Sequence, residues 1–242
     1  DVCSSDLFEG EKRVAIVPKM ATQLLKEGHE VFIEANAGEE AYFTDIEYDR
    51  IGAIIVENAQ LLYSEVDVIM KVQPPQREEV EMMRDSSIYI GFLSSVLDDE
   101  FLNLINKKSI TSFAMEFIPR ISRSQSMDAL SSMASIAGYR AVLIAAQHLG
   151  KFFPLMMTAA GTIPPAKVLV VGAGVAGLQS IATARRLGAR VEAFDTRPAV
   201  REQVESLGAQ FIEMELVADA ETATGYAKEM TEEFMKKERE II

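Results

Sequence analysis

The sequence predicts an α/β protein of two Rossmann-like lobes with parallel sheets, joined by a long helix, the second lobe truncated. Three observations predict it. Short β-branched runs alternate with amphipathic stretches as far as residue 116. A long stretch poor in charge then intervenes, and a second alternation opens on a glycine-rich turn between a strand-like run and a helical one. Strands separated by helices cannot pair as hairpins, so the alternation implies parallel sheets. The boundaries follow as an N-terminal α/β lobe at 1–128, and a linking helix with an incomplete nucleotide-binding lobe at 129–242.

In the first lobe, Glu30–Glu34 (EVFIE), Ala53–Val56, Val66–Val72, Ser87–Phe92 and Ile110–Glu116 are short and β-branched and read as buried strands. Pro18–Gly28, Ala59–Ser64, Pro75–Arg84 and Asp98–Lys107 read as helices, with Pro18 and Pro75 in the first turn, where a missing N–H costs nothing. Met127 to Leu149 predicts one long helix whose Ala134, Ala137, Gly138, Ala141 and Ala145 allow close backbone approach. That stretch also holds Arg140 and three serines, so it reads as a buried or lobe-bridging helix rather than a membrane span. Gly150–Lys167, with Pro154, Gly161, Pro164 and Pro165, reads as connector. Lys167–Val171, Arg190–Asp195 and Gln210–Glu215 are strands of the second lobe, and Tyr226–Ile242 reads as a solvated amphipathic helix. A complete dinucleotide lobe needs roughly six strands. Three are found and the first residue is not Met, so the chain is expected to be a fragment.

Composition removes several classes. A net charge of -13 with no basic stripe excludes a nucleic-acid binder. The single cysteine, Cys3, excludes an internal disulfide framework and suits a reducing compartment. Asp1–Glu11 lacks a basic and then apolar leader, so no signal peptide is expected.

The chemistry concentrates in KVLVVGAGVAGLQSIATARRLGARVEAFD, where Gly172, Gly174 and Gly177 fill G-x-G-x-x-G. The first glycine permits a tight turn, the second lets a pyrophosphate approach the backbone, and the third lets helix and sheet pack closely. The N–H groups around Ala173, Gly174 and Val175 then meet the phosphates at a helix N-terminus. Asp195 ends the next strand, eighteen residues after Gly177, where a carboxylate accepts both ribose hydroxyls and repels a 2′-phosphate. NAD(H) is therefore expected over NADP(H). Arg197 admits two readings, a solvated or adenine-side residue and a partner for a 2′-phosphate.

Upstream, Arg120, Arg123, Gln125 and Asp128 crowd one turn. Capping of the long helix by Ser126, with Asp128 in its first turn, explains the serine and the aspartate. It leaves the arginines and the glutamine unexplained.

RISRSQSMDALSS, AGTIPPAKVLVVGAGVAGLQSIATARRLGA, FDTRPAVREQVESLGA and GYAKEM, in that order, resemble the NAD(H)-binding component of proton-translocating NAD(P) transhydrogenase. The resemblance runs from about Gly10 to the C-terminus. It implies that Arg120, Gln125 and Asp128 lie at the nicotinamide end, with Gln125 orienting the ring and Arg120 and Asp128 contacting the nucleotide. Ser131 matches a further contact, and Tyr226, after Gly225, matches the tyrosine of a loop that closes over bound nucleotide. It further implies hydride transfer from NADH to NADP⁺ held on a partner domain, coupled to proton movement through a transmembrane domain. No side-chain acid or base is then needed at the reacting carbon. The expected setting is a homodimer, peripheral on the inner face of a bacterial plasma membrane or the matrix face of a mitochondrial one.

Two other readings come from different classes. An alanine-dehydrogenase-like enzyme is suggested by Arg13 and Lys71, which match a substrate-binding arginine and lysine. The histidine acid/base that such an enzyme needs is replaced by GFLSS after Ser87–Phe92, and neither His29, in a surface turn, nor His148, at a helix end, is placed to act. A non-catalytic NAD-binding regulatory module is suggested by the shortage of acid/base residues. The opening DVCSSDLF departs from the first strand of the resembled family, so no strand is expected there.

Overall fold

The computed structural model describes residues 1–93, 98–119 and 121–212, and the chain divides into two compact units, Asp1–Asp128 and Ala129–Ile242. Arg120 and the residues beyond 212, among them Gly225, Tyr226 and the expected terminal helix, lie outside the described residues.

The first unit holds β1 (Val2–Ser4), α1 (Pro18–Lys26), β2 (Val31–Glu34), α2 (Asp45–Arg50), β3 (Ile54–Val56), α3 (Ala59–Glu65), β4 (Val68–Met70), α4 (Arg77–Met82), β5 (Ile88–Gly91), α5 (Asp99–Lys107) and β6 (Thr111–Ala114). The strands form one parallel sheet in the order β3-β2-β1-β4-β5-β6. The opening segment, for which no strand is expected, supplies the central one. Val2 registers with Val31 on one side and Val68 on the other, and Val2, Cys3 and Ser4 are all buried. Three residues are too short to carry a period, so only their neighbours make them a strand. The unexpected α2 starts from Thr44, whose N–H donates to Glu47 Oε2 at 2.8 Å, the reciprocal half of a capping box. Asn58 caps α3 and Asp98 caps α5, the latter accepting from Phe101 N–H at 2.7 Å.

The second unit opens with α6 (Ala129–His148), followed by β7 (Met156–Thr158), β8 (Gly161–Ile163), β9 (Lys167–Val171), α7 (Val175–Arg186), β10 (Arg190–Phe194), α8 (Arg201–Ser206) and β11 (Gln210–Phe211). Among the described residues β9, β10 and β11 form a parallel sheet in the order β11-β10-β9. β7 and β8 form an antiparallel hairpin inside the segment expected to be plain connector, with Thr158 opposite Gly161. The core gathers Val170, Ala173, Ile181, Ala184, Val191, Ala193, Val204 and Phe211.

α6 starts two residues later than expected because Ser122–Met127 forms a 3₁₀ run ending at Asp128. By length and composition it is the one described helix that could cross a membrane. Only Gly138 and Val142 of α6 are buried, so of the two expectations, a buried or a lobe-bridging helix, the first does not hold. Gly138 brings α6 against α7: a Cβ there would lie 2.1 Å from Ala176 O, and Ser180 Oγ donates to Gly138 O at 3.0 Å. β9 likewise exposes Leu169 and Val171 on one face, and β10 is its only partner among the described residues.

Candidate functional site

The glycine loop joins β9 to α7. Gly172 has φ +91°, which an L side chain rarely adopts, and its N–H donates to Phe194 O at 2.7 Å, tying the turn to β10. Gly174 stands at the N-cap of α7 with φ −74°, and a Cβ there would meet nothing within 4 Å. The space above it is therefore open to an approaching group. A Cβ on Gly177 would lie 1.8 Å from Gly172 O, so the third glycine is fixed by helix–strand contact. No side chain caps α7, and its first-turn N–H groups carry the positive end of a twelve-residue helix. The loop has the shape and polarity to seat an anion. The buried face of α7 is Ile181, Thr183 and Ala184, with Leu178 and Leu187 packed beside the core. Ala182 of the same helix is partly buried.

Asp195 follows the last residue of β10 and is 5% exposed. Its Oδ2 accepts from the glycine-loop amide Ala173 N–H at 2.6 Å. Its Oδ1 accepts from Arg197 N–H at 2.8 Å, and Arg197 Nε and Nη2 reach Oδ1 and Oδ2 at 3.0 and 3.1 Å. Burial alone would raise the carboxyl pKa, but the Arg197 and Ala173 hydrogen bonds outweigh it and hold it below the usual carboxylate range. Of the readings given for Arg197, a solvated or adenine-side residue or a partner for a 2′-phosphate, the structure removes only full solvation. Its side chain lies folded onto Asp195, 15% exposed.

In the first unit, Arg123 and Gln125 are exposed on the 3₁₀ run and Ser124 is buried. Ser126 sits within that run and Asp128 directly precedes α6, so Ser126 does not occupy the cap position expected of it. Ser131, in the first turn of α6, is partly buried.

The C-terminal edge of the six-stranded sheet carries a polar set that local sequence pattern does not assemble. Asp6, just after β1, is buried, and accepts from Val72 N–H at 2.6 Å, Ala15 N–H at 2.8 Å and Ser4 Oγ at 2.9 Å. Arg13 grips Glu11 through Nε and Nη2, each at 2.6 Å, and Gln73 Nε2 donates to the same carboxylate. The Arg13 hydrogen bond leads in pulling the Glu11 pKa down to about 2, against the opposing effect of burial. Lys71 is buried, ion-paired to Glu79 and 3.2 Å from the Tyr63 hydroxyl. Only the pairing of Glu79 with Gln76 as a helix start is visible locally, as a capping box.

Residues 4–137 match the N-terminal domain of the alanine dehydrogenase/PNT family, and residues 141–240 match its C-terminal domain. The chain belongs to the alanine dehydrogenase/PNT family. Within it the chain is 49% identical, over 96% of its length, to an NAD(P) transhydrogenase subunit alpha polypeptide of Rhodospirillum rubrum. It spans 62% of that relative's length. It is 30% identical to alanine dehydrogenase of Mycolicibacterium smegmatis, over 79% of this chain and 52% of that one. Among solved structures, a transhydrogenase from Sinorhizobium meliloti superposes with a TM-score of 0.83 at 45% identity, covering 88% of this chain and 64% of that one. An L-alanine dehydrogenase superposes at 0.74 with 26% identity, covering 87% and 60%. Arg13 and Lys71, which the sequence singled out, each hold a carboxylate of this chain, Glu11 and Glu79.

Proposed function

We propose that this chain is the NAD(H)-binding component of a proton-translocating NAD(P) transhydrogenase. The observation that carries the reading is Asp195: a buried carboxylate at the end of β10, bonded to the glycine-loop amide of Ala173. That placement suits an acid reading an adenosine ribose while Gly172, Ala173, Gly174, Val175 and Gly177 present backbone to the diphosphate. The 49% identity to a transhydrogenase alpha subunit, against 30% to an alanine dehydrogenase, supports this branch of the family.

Bound NADH supplies the hydride, and NADP⁺ on a partner domain accepts it. This chain's residues hold, orient and shield. Arg120, Gln125 and Asp128 are assigned to the nicotinamide end, with Gln125 setting the ring's orientation, Ser131 to a further contact with the nucleotide, and Gly225 and Tyr226 to a loop covering it. With orientation and exclusion of water as the contribution, no general acid or base is required. In the whole assembly the component works as a homodimer on the inner face of a bacterial plasma membrane, or the matrix face of a mitochondrial one, beside a transmembrane domain that carries protons.

The test mixes the full-length component with an NADP(H)-binding partner domain and follows hydride transfer from deuterated NADH. Transfer with retention of the label in NADPH is expected. NADH binding without transfer sinks the reading, and NADH oxidation by pyruvate and ammonia in the absence of any partner would place the chain with the amino-acid dehydrogenases. Gln125→Asn should slow transfer about tenfold or more while NADH affinity changes far less, because orientation rather than anchoring is lost. Equal losses in both would reduce Gln125 to a binding residue.

A further inference from the structure

The fork that Arg197 lays on Asp195 is not used by the proposed function. A carboxylate offers about four lone-pair sites, and Asp195 fills them with four donors: Ala173 N–H, Arg197 N–H, Arg197 Nε and Arg197 Nη2. Two of these donors are backbone amides fixed by the loop. The other two belong to a side chain that can rotate away, one on each oxygen.

We propose that Arg197 is an internal competitor for the ribose, its guanidinium occupying the two acceptor sites that the 2′,3′-diol of a nicotinamide dinucleotide would take. The proposal rests on the assignment of Asp195 to ribose recognition. A cis-diol brings two neighbouring O–H donors, the same number that the guanidinium surrenders, so binding is an exchange of one fork for another. The backbone donors remain and keep the buried carboxylate satisfied throughout.

The exchange bears on affinity and on selectivity. Affinity is set below what a bare carboxylate would give, because part of the binding energy goes into breaking the Arg197–Asp195 pair. The displaced cation also stays close, since Arg197 is only two residues beyond Asp195, and partly offsets the repulsion between Asp195 and a 2′-phosphate. Arg197 thereby determines both the affinity for NADH and the preference for it over NADPH.

The experiment titrates NADH and NADPH into the full-length protein and its Arg197→Met and Arg197→Lys variants. Nucleotide fluorescence serves as the signal, undisturbed by tryptophan in these 242 residues, which contain none. Arg197→Met should bind NADH about three- to tenfold tighter, the range expected for removing one partly buried ion pair, and its NADH/NADPH preference should widen. Arg197→Lys should fall between, because one ammonium cannot bridge both oxygens side-on. If the methionine variant does not fold, the lysine variant decides by the same shift. NADH affinity that is unchanged or weaker in every folded variant overturns the competitor. Asp195→Asn in the parent separates the two levels: if it leaves NADH affinity untouched, the ribose assignment falls and the proposal with it.

Discussion

At the scale of single residues, the three glycines of the loop answer to different forces, so they should fail differently. Gly177→Ala puts a Cβ 1.8 Å from Gly172 O, and the helix must move off the strand at a cost of about 1–3 kcal/mol. Gly174→Ala meets no atom within 4 Å and has an ordinary φ of −74°, so the thermal midpoint should hold while NADH affinity drops about tenfold as the Cβ takes the diphosphate's place. Parallel melting and titration of the two variants checks this, and equal destabilisation would remove the open approach at Gly174. Glu11 offers a pH test. Its folded pKa lies near 2 against an ordinary 4.5, so its stabilisation is complete above about pH 4.5 and is lost as pH falls toward 2. Urea midpoints of the parent and Glu11→Gln should therefore converge between about pH 5 and pH 2.5. The glycines and Asp195 were legible because spacing along one strand–turn–helix fixes them. The Arg197 fork was not, since sequence gives proximity to Asp195 but not which way a flexible side chain folds.

At the scale of elements, local pattern served wherever a run was long enough to show a period. β2 to β6 and α1, α3, α4 and α5 all lie where β-branched runs and helix starts place them, all but α3 shortened at their ends and α3 one residue longer. β1 escaped because three residues show no period, and the β7–β8 hairpin because Pro154, Gly161 and Pro164 suggest irregular chain while pairing makes strands of the residues between. The small residues of α6 were read as a close-approach surface, and Gly138 realises it against Ala176 in the first turn of α7. That contact connects packing to the site. Gly138→Ala should lower the thermal midpoint and also weaken NADH binding, because the turn that must yield directly follows Gly174. Asp98→Ala is the control: it removes the α5 cap in the other unit and should cost about 1 kcal/mol with no change in NADH affinity. A Gly138 variant that melts lower yet binds NADH unchanged would show that α7 holds the loop without help from α6.

At the scale of the whole molecule, the two units share a strand plan and differ in what stands at its open end. β3-β2-β1 in the first and β11-β10-β9 in the second run in the same spatial order, and the turn after the innermost strand is where such sheets take ligands. After β9 that turn is Gly172–Gly174, backbone facing open space. After β1 it is Ser5–Asp6, and the Asp6 carboxylate itself accepts from Val72 N–H across the switch between β1 and β4, and from Ala15 N–H. The turn of the first unit is thus occupied by the chain's own carboxyl group, which takes up the Val72 and Ala15 amides, and the cavity of about 330 Å³ beside it is lined by Glu9, Glu11 and Glu40 as well as Asp6, a setting poor for a phosphate. Nothing in the sequence pointed to this, because Val72 lies sixty-six residues from Asp6 and only the sheet order brings them together. The expected stoichiometry is one dinucleotide per chain despite two lobes of one plan. Equilibrium dialysis with radiolabelled NADH should give a single site that Gly174→Asp abolishes. A second site surviving that substitution would mean that Asp6 gives way to ligand, and the division of labour between the lobes would have to be redrawn.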